Sequence, residues 1–371
     1  MTMQQTAPAM DTWKGGMNPE ETTDRLLNGR SSGRLGIGDE ILFDLGGGRL
    51  VRGIGPFQRV AQAPAGAWAF YINDFALSDG NPWLIPSRMD FVCESGMVHE
   101  GGLDVHWKEP AKSSFCAVFD EIMQRVNRGE LRKAVPAVVA EAEWTESMTE
   151  EFLYRLPKRP ADAGTYAYAF HAGNRGFAGR TPELLFRVEN GVLKTMALAG
   201  TAPTAESATL LQNPKLLREH DLVVEVMSER LTALGELSVE PRRLMPLGVM
   251  THLCTRLEVV LDDPNWESRG EELIRILHPT PALGIAPRTP ETLALLGDYR
   301  KRLGVPAAFG SPIGVKWPGG LLVLVAIRGI FWEDGHASLP AGGGLVSGSE
   351  ADSEWAELEL KRSWVRRALG V

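Results

Sequence analysis

AGGGLVSGSEADSEWAELELK, residues 341–361, follows LLVLVAIRGIFW at 321–332. The earlier run is rich in β-branched and aromatic residues and holds no proline, which predicts a strand. Three consecutive glycines come next, Gly342 to Gly344; glycine lets backbone pass close to a ligand at no steric cost. Ser349, with Asp352 three residues on, predicts a helix N-terminus. On the helix that follows, Glu354, Glu357 and Lys361 fall at i, i+3 and i+7, which is one face. One short piece therefore offers backbone donors, two carboxylates and an ammonium pointing one way. Two carboxylates suit a hard divalent cation, and an ammonium suits a substrate carboxylate. The same spacing also describes a solvated face laced with i,i+4 pairs, so the stretch does not decide the matter alone.

Around it, the 371 residues are 44% hydrophobic and 23% charged, enough for a large core. A net charge of −8 with no basic stripe excludes nucleic acid and anionic membrane surfaces as partners. An anionic substrate would need local Arg, Lys or a metal ion to offset the protein's own field. Cys93, Cys116 and Cys254 are far apart and form no CxxC, which predicts free thiols in a reducing compartment. The N-terminal MTMQQTAPAMDTWKGG has no apolar core and no run reaches membrane length, so the expected location is the cytoplasm.

In chain order, residues 1–20 predict a flexible polar tail, and residues 35–110 predict short antiparallel strands separated by Gly and Pro turns. GGGRL and GIGPF complete no phosphate-binding pattern, and neither His99 nor His106 has a second ligand at metal spacing. SSFCAVFDEIMQRVNR, 113–128, carries a helical apolar stripe stopped by Gly129. LRKAVPAVVAEAEW predicts a strand with Lys133 at its start, either an edge charge or a base that burial could deprotonate. Glu183 stands at the mouth of a hairpin turned by Asn190-Gly191, whose second strand exits through Gly200-Thr201. Residues 215–234 predict an amphipathic helix with Glu219 and His220 at the border of its apolar stripe. GVMTHLCTRLEVVL, 248–261, predicts a strand. A helix then stops at His278-Pro279, a loop of the kind that carries sites. AAFGSPIGVKW and LLVLVAIRGIFW pair around Pro318-Gly319-Gly320. No repeat or linker divides the chain, which predicts one α+β domain over residues 21–371.

Separated motifs in a fixed order now point to one family. They are Lys133 after GEL, TPELL at 181–185, AGT at 199–201, REH at 218–220, THL at 251–253, HPTPA at 278–282, FGSPIG at 309–314, AIR at 326–328, AGGGLV at 341–346 and EWAELELK at 354–361. Over roughly residues 115–371 the chain resembles the chorismate-utilising enzymes: isochorismate synthase, salicylate synthase, the anthranilate synthase large subunit and aminodeoxychorismate synthase. Each motif alone is weak; ten in order are specific.

The resemblance implies stacked antiparallel sheets with outer helices and a site between them. It implies Mg2+ bound by Glu219 and Glu357, with Glu354 nearby, and chorismate carboxylates anchored by Arg328, Lys361 and the backbone of Gly342, Gly343 and Gly344. Gly200, Thr201 and His278 are expected to contact substrate. Among family members it points to isochorismate synthase, with Lys133 as base for the incoming water and Glu183 as acid for the departing C4 hydroxyl. Ammonia-using members carry Gln at the position of Lys133, and the aminodeoxychorismate branch carries a lysine where Ala199 stands. The alternatives are a salicylate synthase, which adds pyruvate elimination, and a non-catalytic chorismate-binding paralogue. Departures at Val138, Asn213 and Ile285 motivate the latter. The family routes are those of menaquinone, siderophore and salicylate; a monomer with no fused glutaminase is expected. The reading requires Glu219 near Glu357 and Lys133 out of water.

Overall fold

The run LLVLVAIRGIFW does not form one strand. It splits into Gly320–Val325 and Gly329–Glu333, which belong to different sheets. Between them Arg328 takes φ +58, a left-handed conformation uncommon outside glycine. Neighbours hold it there: Tyr168 Oη donates to Ile327 O at 2.8 Å, and the Arg180 N–H donates to Arg328 O at 3.2 Å. An alternating pattern of residue types records which faces are apolar and carries no sign of a backbone reversal, so the single expected strand is corrected to two.

The computed structural model of the chain describes residues 38–93, 101–159 and 164–371. The tail expected over 1–20, His99 and the Cys93 side chain lie outside them. Among the described residues one sheet has eight strands, in the order Arg88–Cys93, Arg49–Ile54, Glu40–Asp44, Tyr166–Ala172, Arg175–Thr181, Gly329–Glu333, His336–Gly342 and Ala137–Glu143. A ten-stranded sheet is built around Met250–Leu261, Val192–Pro203, Leu184–Glu189, Gly320–Val325 and Pro312–Trp317. Pairing throughout is antiparallel. Phe170, Phe177 and Phe331 of the first sheet share one core with Phe186, Leu322 and Leu324 of the second, as facing sheets require.

Asn190 and Gly191 turn their hairpin with φ +51 and +76, the two left-handed residues that a tight hairpin needs. Helix Pro214–Thr232 lays Val223, Met227 and Leu231 into the sandwich core. The C-terminal helix, Ala351–Leu369, sets Trp355 and Leu358 against Phe115, Phe119 and Ile122 of helix Lys112–Asn127. Its start differs from expectation. Ser349 Oγ accepts from the Val346 N–H at 3.1 Å and closes the preceding turn, while Asp352 pairs with Lys112 at 2.8 Å. No helix among the described residues is long and apolar enough to cross a membrane.

Candidate active site

Strands of both sheets and the two long helices wall one cavity. Glu183, Gly200, Thr201, Glu219 and Arg328 line it, and so do Gly342, Gly344, Glu357 and Lys361. The distant carboxylates Glu219 and Glu357, on different helices, therefore face a common space.

Lys133 stands just behind this wall. It occupies the two-residue strand Lys133–Ala134, paired with Ile285–Ala286. The side chain is 0% exposed, and its Nζ donates to Glu219 Oε1 at 2.9 Å. A fully buried lysine nitrogen needs a hydrogen-bonding partner; Glu219 supplies it at the cavity wall. Two further lysines repeat the arrangement. Lys361 Nζ contacts Glu357 Oε1 at 2.6 Å and donates to Gly342 O at 2.7 Å, and Lys215 Nζ pairs with Glu354 Oε1. Each of the three candidate metal carboxylates is thus matched to one lysine.

Burial pushes the Glu183 carboxyl up to about 7, with Lys133, Lys361 and Arg328 opposing the rise and a Thr280 hydrogen bond also favouring the ion. Burial acts most strongly, and upward, on Glu357, but Lys361, Lys215 and Arg328 together outweigh it and hold that carboxyl below the ordinary range. Glu354 stays raised because burial exceeds the pull of Lys215. One acid near neutral and one firmly ionised carboxylate in the same cavity is a division of labour typical of acid–base sites.

Arg328 enters from the sheet-to-sheet crossing. Among the described residues it has no acid within ion-pair distance; NH1 reaches Met250 Sδ at 3.8 Å and the guanidinium lies 5.2 Å from the Trp364 ring centroid. Its fork of donors is free for a ligand carboxylate.

His252 is a site residue without an assigned role in the sequence reading. It lines the cavity, and its Nδ1 is 2.8 Å from Thr201 Oγ1. Its Nε2 is buried with no protein partner. Burial holds the ring well below its ordinary pKa, reinforced by Arg328 and Lys361, so it is neutral. In the tautomer whose Nδ1 accepts from Thr201 Oγ1, Nε2–H is left as a donor. A bulge creates the pair: register shifts between Ala199 and Thr201, so Thr201 faces His252. Gly200 takes φ +79 at that bulge, as glycine readily does. The signal in the sequence was Gly200 within a strand pattern, a mark of bulges.

Several expectations change. His278 is not in the cavity wall: Nε2 is 2.8 Å from Phe75 O and the ring packs edge-on against Phe75. Two glycines of the strap are taken up by main-chain pairing. Gly342 pairs with Ala137 in the sheet, and the Gly343 N–H donates to Pro136 O at 3.2 Å. What the strap supplies is room: a Cβ on Gly344 would lie 2.6 Å from Lys133 Cε and closer still to Glu219 Oε1. Gly343 lacks this constraint, since its Cβ would meet Leu358 Cδ2 at 3.4 Å. His220 is wholly buried, between Ala199 O at 3.1 Å and Thr255 Oγ1 at 2.8 Å.

The three departures are structural. Asn213 caps helix Pro214–Thr232, its Oδ1 accepting from Lys215 N at 3.0 Å and Leu216 N at 3.3 Å. Val138 and Ile285 sit in the apolar cluster with Phe115. Ile285 does not reach the cavity, where Ala282 and Leu283 stand instead.

Among the described residues, no three acid, His or Cys side chains already form a cluster tight enough for a metal. The donor set nevertheless fits Mg2+ chemically. Glu219, Glu354 and Glu357 are hard oxygen donors, and all three act electrostatically on the single ammonium of Lys215. Glu183, Glu219, Glu354 and Glu357 face Lys133, Lys215, Lys361 and Arg328, a balance that a divalent cation together with a dicarboxylate leaves unchanged.

A model of the family described as chorismate binding enzyme matches residues 99–370. The chain belongs to that family. The salicylate biosynthesis isochorismate synthase of Pseudomonas aeruginosa is 32% identical over 267 residues, covering 69% of this chain and 54% of the relative. Isochorismate synthase MenF of Haemophilus influenzae is 29% identical over 266 residues, covering 67% and 58%. The chain thus spans little more than half of either relative. In fold it is similar to the menaquinone-specific isochorismate synthase MenF from Escherichia coli, with a TM-score of 0.72, 20% identity and coverage of 91% of this chain and 90% of that one. Anthranilate synthase component I from Streptococcus pneumoniae gives 0.62 at 16% identity, covering 93% and 95%.

Proposed function

We propose that the chain is a Mg2+-dependent isochorismate synthase, adding water at C2 of chorismate and releasing the C4 hydroxyl. The observation that carries this reading is a carboxyl held at about 7, Glu183, in the cavity wall, with a wholly buried lysine, Lys133, bonded to that wall through Glu219. Arg328 and Lys361 bind the substrate carboxylates. Lys133, as the free amine, takes a proton from the attacking water. Glu183 gives its proton to the departing hydroxide, which leaves as water. One proton is gained and one lost, so substrate and product are isomers and a single return transfer resets the enzyme. His252 offers its Nε2–H to an oxygen of the ring or side chain. Glu219 and Glu357, with Glu354 alongside, would hold Mg2+, whose charge would fix a chorismate carboxylate beside the reacting ring. The enzyme works in the cytoplasm as a monomer and feeds menaquinone, siderophore or salicylate synthesis.

Incubation of the purified protein with chorismate and Mg2+, followed by chromatography, is expected to yield isochorismate. Salicylate as the end product would move the assignment to salicylate synthase. Bound but unconverted chorismate would leave only the binding role.

The raised Glu183 carboxyl gives a pH test. As the acid it must be protonated, so kcat is expected to fall as pH rises through about 7, by about tenfold per unit once titration is complete. Glu183→Gln should remove this alkaline limb at a rate lower by about 10²–10⁴-fold. A parent enzyme whose kcat is flat from pH 6 to 9 contradicts the role.

A further inference from the structure

Lys215 has no part in the chemistry above, yet it contacts Glu354 and feels the charges of Glu219 and Glu357 as well. It is the second residue of helix Pro214–Thr232, and its backbone N–H is fixed by the Asn213 cap. From there its flexible stem reaches inward to Glu354, which is 1% exposed, while the Lys215 side chain keeps 20% exposure. Burial alone would lower this ammonium; Glu354, Glu219 and Glu357 together outweigh it.

The other two lysines of the set are tied down. Lys133 is 0% exposed, and Lys361 is also held by Gly342 O at 2.7 Å. Lys215 combines partial exposure with a fixed root on the first turn of a helix, so its ammonium can leave toward water without disturbing the backbone. Glu354 is too buried to be left without a counter-charge, and an ammonium and a divalent ion drawn to the same carboxylate repel each other at close range.

We propose that Lys215 is a positioning residue for the metal, a resident cation that holds Glu354 in the ion-free site and swings outward when the divalent ion arrives. This rests on the Mg2+ reading of Glu219, Glu354 and Glu357. The lysine prevents the carboxylates from repelling one another apart, and it sets a threshold the ion must overcome. Mg2+ affinity is accordingly lower than three carboxylates alone would give.

Calorimetric titration with Mg2+ alone, without chorismate, tests the sign. Lys215→Met, which keeps the stem and removes the charge, is expected to bind Mg2+ at least about tenfold more tightly than the parent. Lys215→Arg, which keeps the charge, should stay near the parent value. A merely structural lysine predicts the reverse, since its loss would disorder Glu354 and weaken binding. In chelator, Lys215→Met should melt below the parent, and its Tm should gain more from added Mg2+. In the parent, acylation of Lys215 followed by mass spectrometry should accelerate when Mg2+ is added. Unchanged or weaker Mg2+ binding by Lys215→Met, with binding to the parent intact, overturns the lysine's role alone. Failure of both proteins to bind Mg2+, with or without chorismate, overturns the metal reading and this proposal with it.

Discussion

Lys133→Ala is expected to lower kcat by about 10²–10⁴-fold, the range that one positioned acid or base contributes. Chorismate affinity should change little, because Arg328 and Lys361 remain. The side chain lies at 0% exposure against Glu219, and removing it leaves that carboxylate short of its partner. Glu219 is on the cavity wall, however, and can take up water or another cation there. The fold should therefore survive, and circular dichroism with a melting curve will show whether it does. Lys133→Gln, which refills much of the volume but cannot accept a proton as an amine can, should be as inactive. A Gln variant that turned over at the parent rate would remove Lys133 from the reaction.

The glycine strap gives the second large effect, and it separates two adjacent residues. Gly344→Ala puts a methyl group 2.6 Å from Lys133 Cε and into the space of Glu219 Oε1. Glu219 ends a flexible side chain, so the methyl is relieved by swinging that carboxylate away. That movement breaks the 2.9 Å contact with Lys133 and withdraws a carboxylate proposed to hold the metal. Turnover is expected to fall by at least about 100-fold, since misplacement by about 1 Å already costs that much, with only a modest drop in Tm. Gly343→Ala, whose methyl meets Leu358 at 3.4 Å, should keep most of the activity. Equal losses in the two variants would show that the strap matters through its flexibility instead.

Much of the site could be read from residue spacing because helices keep their faces. Glu357 and Lys361, one turn apart, had to be neighbours, and Glu219 fell at the edge of an apolar stripe that had to be buried. The hairpin at Asn190-Gly191 and the stop at Gly129 were equally legible, since left-handed backbone leaves a mark in residue choice. What was hidden depended on backbone irregularity. The bulge at Gly200 decides that His252, and not Thr251, faces Thr201. His278 sits at a helix end where sites are common, yet its ring turns to the Phe75 carbonyl, a partner about 200 residues away that no local pattern announces. The lysine partners of the carboxylates were hidden for the same reason. Lys215 reads as an ordinary solvated charge until the C-terminal helix is laid beside it.

Arg328 offers itself to ligands from a crossing point, the short span where one continuous segment leaves the ten-stranded sheet and enters the eight-stranded one. A guanidinium mounted on such a hinge-pin has no independent position. If either layer slips against the other, the anchor travels with it, so how well the cavity is aligned becomes a property of the whole sandwich. Substitutions deep in the core, far from any reacting atom, should thus register as weakened carboxylate binding before they register as unfolding.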